Sequence, residues 1–121
     1  MPERNVLIVE DDVDFAGTLT MSLELHNHKA SVAYSGLDAI NLVNLQEFDI
    51  CFLDIKMPGM TGIECLQMIK KILPSKTRFV MMTGFRDKET LDRARQVGAE
   101  HILLKPFKMA DFIKCVTTLT C

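Results

Sequence analysis

Apolar bursts of strand length alternate with longer stretches of helical period along the chain, and this alternation narrows the available folds more than any other feature. The bursts fall at residues 6–9, 30–33, 50–53, 79–82 and 102–104. Three are continuously apolar, and the last is equally apolar but short. Strands buried on both faces of a parallel sheet read this way. The segments between them fit helices. Asp12 is a good N-cap for a first helix carrying Phe15, Leu19 and Leu23, with Asn27 as its stop. Ser35 caps a second, with Ala39, Ile40 and Val43 on its apolar side. Thr61 and Glu64 form a capping box for a third, which carries Leu66, Ile69, Ile72 and Leu73 on one face and runs to Pro74. Leu91, Ala94 and Val97 mark a fourth that stops near Gly98, and Met109, Phe112, Ile113 and Val116 a fifth. Five strands alternating with five helices predict an α/β fold: a parallel sheet covered on both faces, each crossover right-handed. The fourth helix has the thinnest apolar stripe and is expected to be the least firmly anchored.

Composition sets the outer limits. A length of 121 residues suits one domain, 1–121, large enough to bury an ordinary core. A formal net charge of -2 leaves no basic footprint for direct nucleic-acid contact. No apolar run approaches bilayer length, so no membrane association is expected, and Met1-Pro2-Glu3-Arg4 lacks a signal-peptide pattern. Cys51, Cys65, Cys115 and Cys121 show neither a C-x-x-C pair nor metal-site spacing. They read as reduced thiols, which points to the cytoplasm.

In a doubly wound sheet, ligands bind beyond the carboxyl ends of the strands. Here the first strand runs out at Glu10-Asp11-Asp12, the third at Asp54, the fourth at Thr83-Gly84 and the fifth at Lys105-Pro106. The chemically interesting side chains therefore converge on one edge. Glu10, Asp11 and Asp54 in one pocket must share protons or be neutralised by a cation. Oxygen-only ligation favours a hard ion, and Mg²⁺ suits a site with few carboxylates and a phosphate oxygen. Lys105 adds a positive charge, Thr83 a hydroxyl, and Gly84 room to approach the backbone. A carboxylate, a divalent cation and a lysine make a workable phosphoryl-transfer site, with a carboxylate able to act as nucleophile. Each residue alone has a plainer reading: Asp12 as a cap, Asp54 as a turn residue, Lys105 as a solvated side chain. Their joint placement favours the site.

These segments resemble a known family. Val6-Leu-Ile-Val-Glu-Asp-Asp12, Leu53-Asp-Ile-Lys-Met-Pro-Gly-Met-Thr-Gly62, Met82-Thr-Gly84, Gly98-Ala99 and Leu104-Lys-Pro-Phe107 are similar, in order and spacing, to the response-regulator receiver domains of two-component signalling. The resemblance implies the CheY-like, flavodoxin-like five-stranded sheet of order 2-1-3-4-5. It implies that Asp54 accepts a phosphoryl group from a histidine kinase or phosphotransfer protein. Asp11 would ligate Mg²⁺ directly, Glu10 through water, and the backbone carbonyl of Lys56 would add a ligand. Thr83 would be the switch hydroxyl and Lys105 the phosphoryl contact, with Lys105-Pro106 cis. The face of the fourth helix, fifth strand and fifth helix would bind an effector or a second copy. One position departs: Ile102 stands where receivers usually carry Tyr or Phe. A β-branched side chain is stiff at χ1 and does not swing as a ring does. His101 should point to the opposite face, and Phe85, just beyond Thr83, could take over part of the role.

Other classes fit less well. A phosphatase with an aspartyl-phosphate intermediate resembles D-x-D or D-x-T at its nucleophile, whereas Lys56 stands two past Asp54. A cofactor-binding flavodoxin-like module wants a Gly/Ser/Thr-rich loop where Glu10-Asp11-Asp12 stands. A degenerate receiver serving as a phosphorylation-independent scaffold conflicts with the full set of acids, threonine and lysine. No output-domain pattern follows the fifth helical segment, which fits a stand-alone receiver or a piece of a larger regulator.

Overall fold

The computed structural model describes residues 2–120. Five strands and five helices alternate: β1 (Asn5–Val9), α1 (Val13–Leu25), β2 (Lys29–Ala33), α2 (Gly36–Val43), β3 (Ile50–Asp54), α3 (Gly62–Ile69), β4 (Arg78–Thr83), α4 (Lys88–Gln96), β5 (His101–Leu104) and α5 (Met109–Leu119). The strands form one parallel sheet of order β2-β1-β3-β4-β5. Fold class and strand order are as the sequence predicts, and every strand starts within one residue of its apolar burst.

Alternation along the central strands divides the core in two. Leu7, Val9, Cys51, Leu53, Phe79 and Met81 face α2, α3 and α4, where Ala39, Val43, Leu66, Ile69 and Ala94 meet them. Val6, Ile8, Ile50, Phe52, Val80, Met82 and Leu103 face α1 and α5, packing on Leu19, Leu23, Phe112 and Val116. Full burial of each large aliphatic or aromatic side chain contributes about 1.5–3 kcal/mol. The predicted caps form as well. Asp12, Ser35 and Thr61 each accept a backbone N–H from the first turn of α1, α2 and α3, and Thr61 and Glu64 complete the capping box.

One helix end differs from expectation. α3 stops at Ile69 instead of running to Pro74: Ile72 N–H donates to the carbonyl of Ile69, a tighter three-residue turn. That turn rotates Ile72 outward, leaving it 41% exposed, while Leu73 stays buried. The residue before a proline disfavours helical backbone, so the chain begins to leave the helix early. α1 ends at Leu25, and Asn27, the stop that the sequence predicts, sits in the left-handed region at φ 64°. α4 is the weakly anchored helix the sequence predicts, with Ala94 its one buried residue. Cys51, Cys65 and Cys115 are buried and free. Cys121 lies outside the described residues. Among those residues no helix is long and apolar enough to cross a membrane.

Gly62 opens α3 against the end of β3, donating its N–H to the carbonyl of Ile55 at 2.9 Å. A Cβ there would collide with the Asp54 carbonyl oxygen and lie 2.9 Å from the Ile55 Cα. Because the obstruction is backbone, a side chain forces α3 and β3 apart. Gly62→Ala is therefore expected to destabilise the fold by about 1–3 kcal/mol. Thermal unfolding should show this as a clearly lowered midpoint, and an unchanged midpoint would refute the close packing.

Candidate functional site

The sheet aims the acidic and basic side chains by continuing its ladders one residue beyond each strand. Glu10 N–H donates to the Ala33 carbonyl at 3.0 Å, and Lys105 N–H to the Thr83 carbonyl at 2.8 Å. Ile55 N–H donates to the Met82 carbonyl at 3.0 Å, fixing the backbone just past Asp54. Glu10, Asp54 and Lys105 thus emerge on the α1–α5 side, in phase with Ile8, Phe52 and Leu103.

There the carboxylate oxygens of Glu10, Asp11 and Asp54 lie within 4.8 Å of one another. The Lys105 ammonium donates to Glu10 Oε1 at 2.8 Å and sits 3.4 Å from Asp54 Oδ2. Backbone donors complete the set: Asp12 N–H to Glu10 Oε2 at 3.2 Å, and Lys56 N–H to Asp54 Oδ1 at 3.3 Å. Glu10 and Asp54 are buried, whereas Asp11 is exposed. The Lys105-Pro106 bond is cis, as expected. The Phe15 ring lies beneath the ammonium, its centroid 4.7 Å from Lys105 Nζ.

Electrostatics make the cluster a place for a cation. Three carboxylates against one ammonium leave a formal charge of -2 when all are ionised. Burial pushes the Glu10 carboxyl up to about 7. The hydrogen bonds from Lys105 and the Asp12 N–H oppose this rise, and the charge of Asp54 adds to it. For Lys105, burial pulls the ammonium down, but the hydrogen bond to Glu10 and the charge of Asp54 outweigh it and leave its pKa raised. An all-oxygen donor set with surplus negative charge fits a hard divalent ion such as Mg²⁺ or Ca²⁺.

Thr83 is buried at the end of β4, beside Asp54 in the sheet, since Met82 pairs with Asp54. Its hydroxyl accepts the Phe85 N–H at 2.9 Å. Ile102 pairs with Met81 and packs into the α2–α4 side of the core, on the face that Thr83 shares. His101 is exposed, and Phe85 presents its ring to solvent at 41% exposure. Two contributors were missed by sequence reasoning. Phe15 reads as one more apolar residue of α1, and only the packing of α1 beside α5 puts it under Lys105. Gly62 reads as part of a capping box, and nothing in the sequence shows that it touches the Asp54 backbone.

With this geometry in place, comparison with known proteins is informative. Residues 6–117 match the response regulator receiver domain model. The chain belongs to that family, the receiver domains of two-component signalling proteins. It is 35% identical over 115 residues to the transcriptional regulatory protein ZraR of Salmonella typhimurium, covering 95% of this chain and 25% of that protein. It is 29% identical to sporulation initiation phosphotransferase F of Bacillus subtilis, covering 92% and 89%. The chain thus spans a quarter of one relative and nearly all of another. A Burkholderia pseudomallei response regulator, whose structure holds a phosphorylated aspartic acid, a calcium ion and citrate, superposes with a TM-score of 0.88 at 24% identity. That match covers 96% of this chain and 68% of that one, and the likeness is one of fold.

The raised Glu10 carboxyl has a consequence for stability. The folded state holds a proton that the unfolded chain releases near 4.5, so in cation-free buffer stability falls as pH rises from about 4.5 to about 7 and then levels off. A rise of that size corresponds to a cost on the order of 3 kcal/mol at the upper end. Glu10→Gln cannot ionise and should flatten this decline. Denaturant unfolding between pH 5 and 8 tests it, and parallel profiles for the two proteins would exclude Glu10 as the source.

Proposed function

We propose that Asp54 is the phospho-acceptor of this receiver and that Glu10, Asp11, Thr83 and Lys105 serve the same transfer. The observation that carries the reading is the convergence of three carboxylates within 4.8 Å with Lys105 held between Glu10 and Asp54. A carboxylate oxygen of Asp54 attacks the phosphorus of a phosphohistidine. A P–O bond forms, the P–N bond breaks, and the imidazole leaves carrying the electron pair. The donor is a histidine kinase or phosphotransfer protein, in keeping with the family and with the phosphotransferase named among the relatives.

Asp11 and Asp54, the carbonyl of Lys56, and Glu10 through water would hold a Mg²⁺ ion. Bound there, the ion offsets the charge on the carboxylates and the phosphoryl oxygens. Lys105 already reaches Asp54 and needs little movement to meet a phosphoryl oxygen. Thr83 donates its hydroxyl to another, and in turning it gives up the Phe85 N–H. That disturbs the short link between β4 and Asp87, the N-cap of α4, which Ala94 alone anchors deeply. The protein then shifts between two arrangements of the α4–β5–α5 face, and an effector or a second copy reads the difference in affinity.

Intact mass tests the core of this reading. Wild type incubated with Mg²⁺ and a small acyl-phosphate donor is expected to gain one phosphoryl group. Asp54→Asn should gain none, chelation should suppress the gain, and equal labelling of the Asn variant would remove Asp54 from the role. The linkage through Thr83 has its own test, independent of phosphate. Thr83→Val removes the acceptor of the Phe85 N–H, so amide exchange at Phe85 should accelerate by roughly tenfold or more, while Thr83→Ser retains protection. Equal exchange in all three proteins would disconnect Thr83 from the β4–α4 link.

A further inference from the structure

The aromatic side chains around Lys105 form a connected series. Phe52 lies two residues before Asp54 on the same strand face, its ring centroid 4.4 Å from that of Phe112 on α5. Phe112 stacks with Phe107 at 6.3 Å, and Phe107 meets Phe15 of α1 edge-on at 5.8 Å. Phe15 in turn presents its ring to the Lys105 ammonium. The series therefore starts beneath Asp54 and ends beneath the lysine that reaches Asp54.

We propose that Phe15 is a positioning residue, which holds the Lys105 ammonium over the acidic pair through its ring quadrupole and so sets how readily Asp54 takes up a phosphoryl group. The inference rests on the reading of Asp54 as the acceptor. A lysine stem has four rotatable bonds and no intrinsic preference for the pocket. Lys105 side-chain exposure is 28%, so water competes for the head group. The two carboxylates supply attraction but little direction, because Glu10 at 2.8 Å and Asp54 at 3.4 Å pull on the same ammonium. A ring face 4.7 Å away closes the remaining side and favours one position of the charge. Phe107 packs edge-to-face against Phe15, and through Phe112 and Phe52 the series ties the lysine's position to the strand that bears Asp54.

A double-mutant cycle tests the contact without phosphate. Phe15→Leu keeps an apolar side chain against Phe107 and removes the quadrupole, and Lys105→Met keeps the stem and removes the charge. The unpaired Glu10 and Asp54 are common to the Met variant and the double variant, so they cancel in the cycle. The expected coupling is roughly threefold to tenfold in the unfolding equilibrium constant beyond the product of the single effects. Additive effects would overturn the proposal. The positioning role needs a second readout, the rate of phosphoryl gain from a small acyl-phosphate donor with Mg²⁺. Phe15→Leu is expected to slow it by roughly threefold to tenfold, and Phe15→Tyr, which keeps the ring, to restore it to within about twofold. Coupling in the cycle with a Leu variant that labels at the wild-type rate would reduce Phe15 to a structural contact and overturn the positioning role. A wild type that gains no phosphoryl group would undo the assignment of Asp54 instead, and the cycle would still decide whether Phe15 holds Lys105.

Discussion

The ion-paired cluster of Glu10, Asp54 and Lys105 is the interaction on which the rest of the structure depends. Two carboxylates shielded from water repel each other, and taking charges out of water costs several kcal/mol per ion unless partners compensate. Lys105 is the one cation that the ion pairs bring to both carboxylates, and it comes from a strand 95 residues away from Glu10. Its reach depends on the strand order. β1 and β3 are neighbours, whereas β5 lies at the sheet edge two places from β3, so the lysine must extend across the end of β4. The cluster therefore links the end of β5 to the ends of β1 and β3 across β4.

The precision comes first from backbone, to which the ring beneath Lys105 is added. Glu10 and Lys105 continue the ladders of their strands, and the residue after Asp54 does the same. Gly62 closes α3 onto the carbonyl of Asp54 with no room for a Cβ. Groups placed in this way do not need to reorganise when charge develops nearby, which is the condition under which fixed dipoles and charges act most strongly. The surplus negative charge left in the cluster is the complement of that precision. Burial, with a smaller contribution from the Asp54 charge, keeps Glu10 partly protonated near neutrality, and the surplus charge creates a demand for a cation of higher charge than lysine provides.

Legibility in the sequence follows the range of the forces concerned. Local signals read well: Asp12, Ser35 and Thr61 cap the helices they precede, because capping joins residues three apart. The continuous apolar runs mark the parallel strands, since strands covered on both faces need no polar alternation. The convergence of Glu10, Asp11, Asp54 and Lys105 is legible once the strand ends are placed at one edge. What stayed hidden needs three dimensions. The end of α3 depends on a turn that competes with Pro74 for the same residues, and the contact of Gly62 with Asp54 depends on how α3 lies on β3. The Phe15 ring beneath Lys105 and the Phe85 N–H on Thr83 are likewise products of packing, with no spacing to announce them.

The departure at Ile102 gains its meaning from what surrounds it. A branched side chain half-buried against the α2–α4 side of the core is held by packing, and its χ1 has little freedom. It therefore forms a fixed part of the core wall on the face that Thr83 shares. The link that runs from Thr83 through Gly84 and the exposed Phe85 to the cap at Asp87 lies at the surface and is held by few contacts. Beyond the cap, Ala94 is the one fully buried residue of α4, with Val97 at its end packed against the core. A helix attached so lightly is displaced at low cost, whereas α1 and α5, which carry the aromatic series toward Lys105, are deeply packed. Deep packing is thus concentrated beside the charged cluster and light packing at α4.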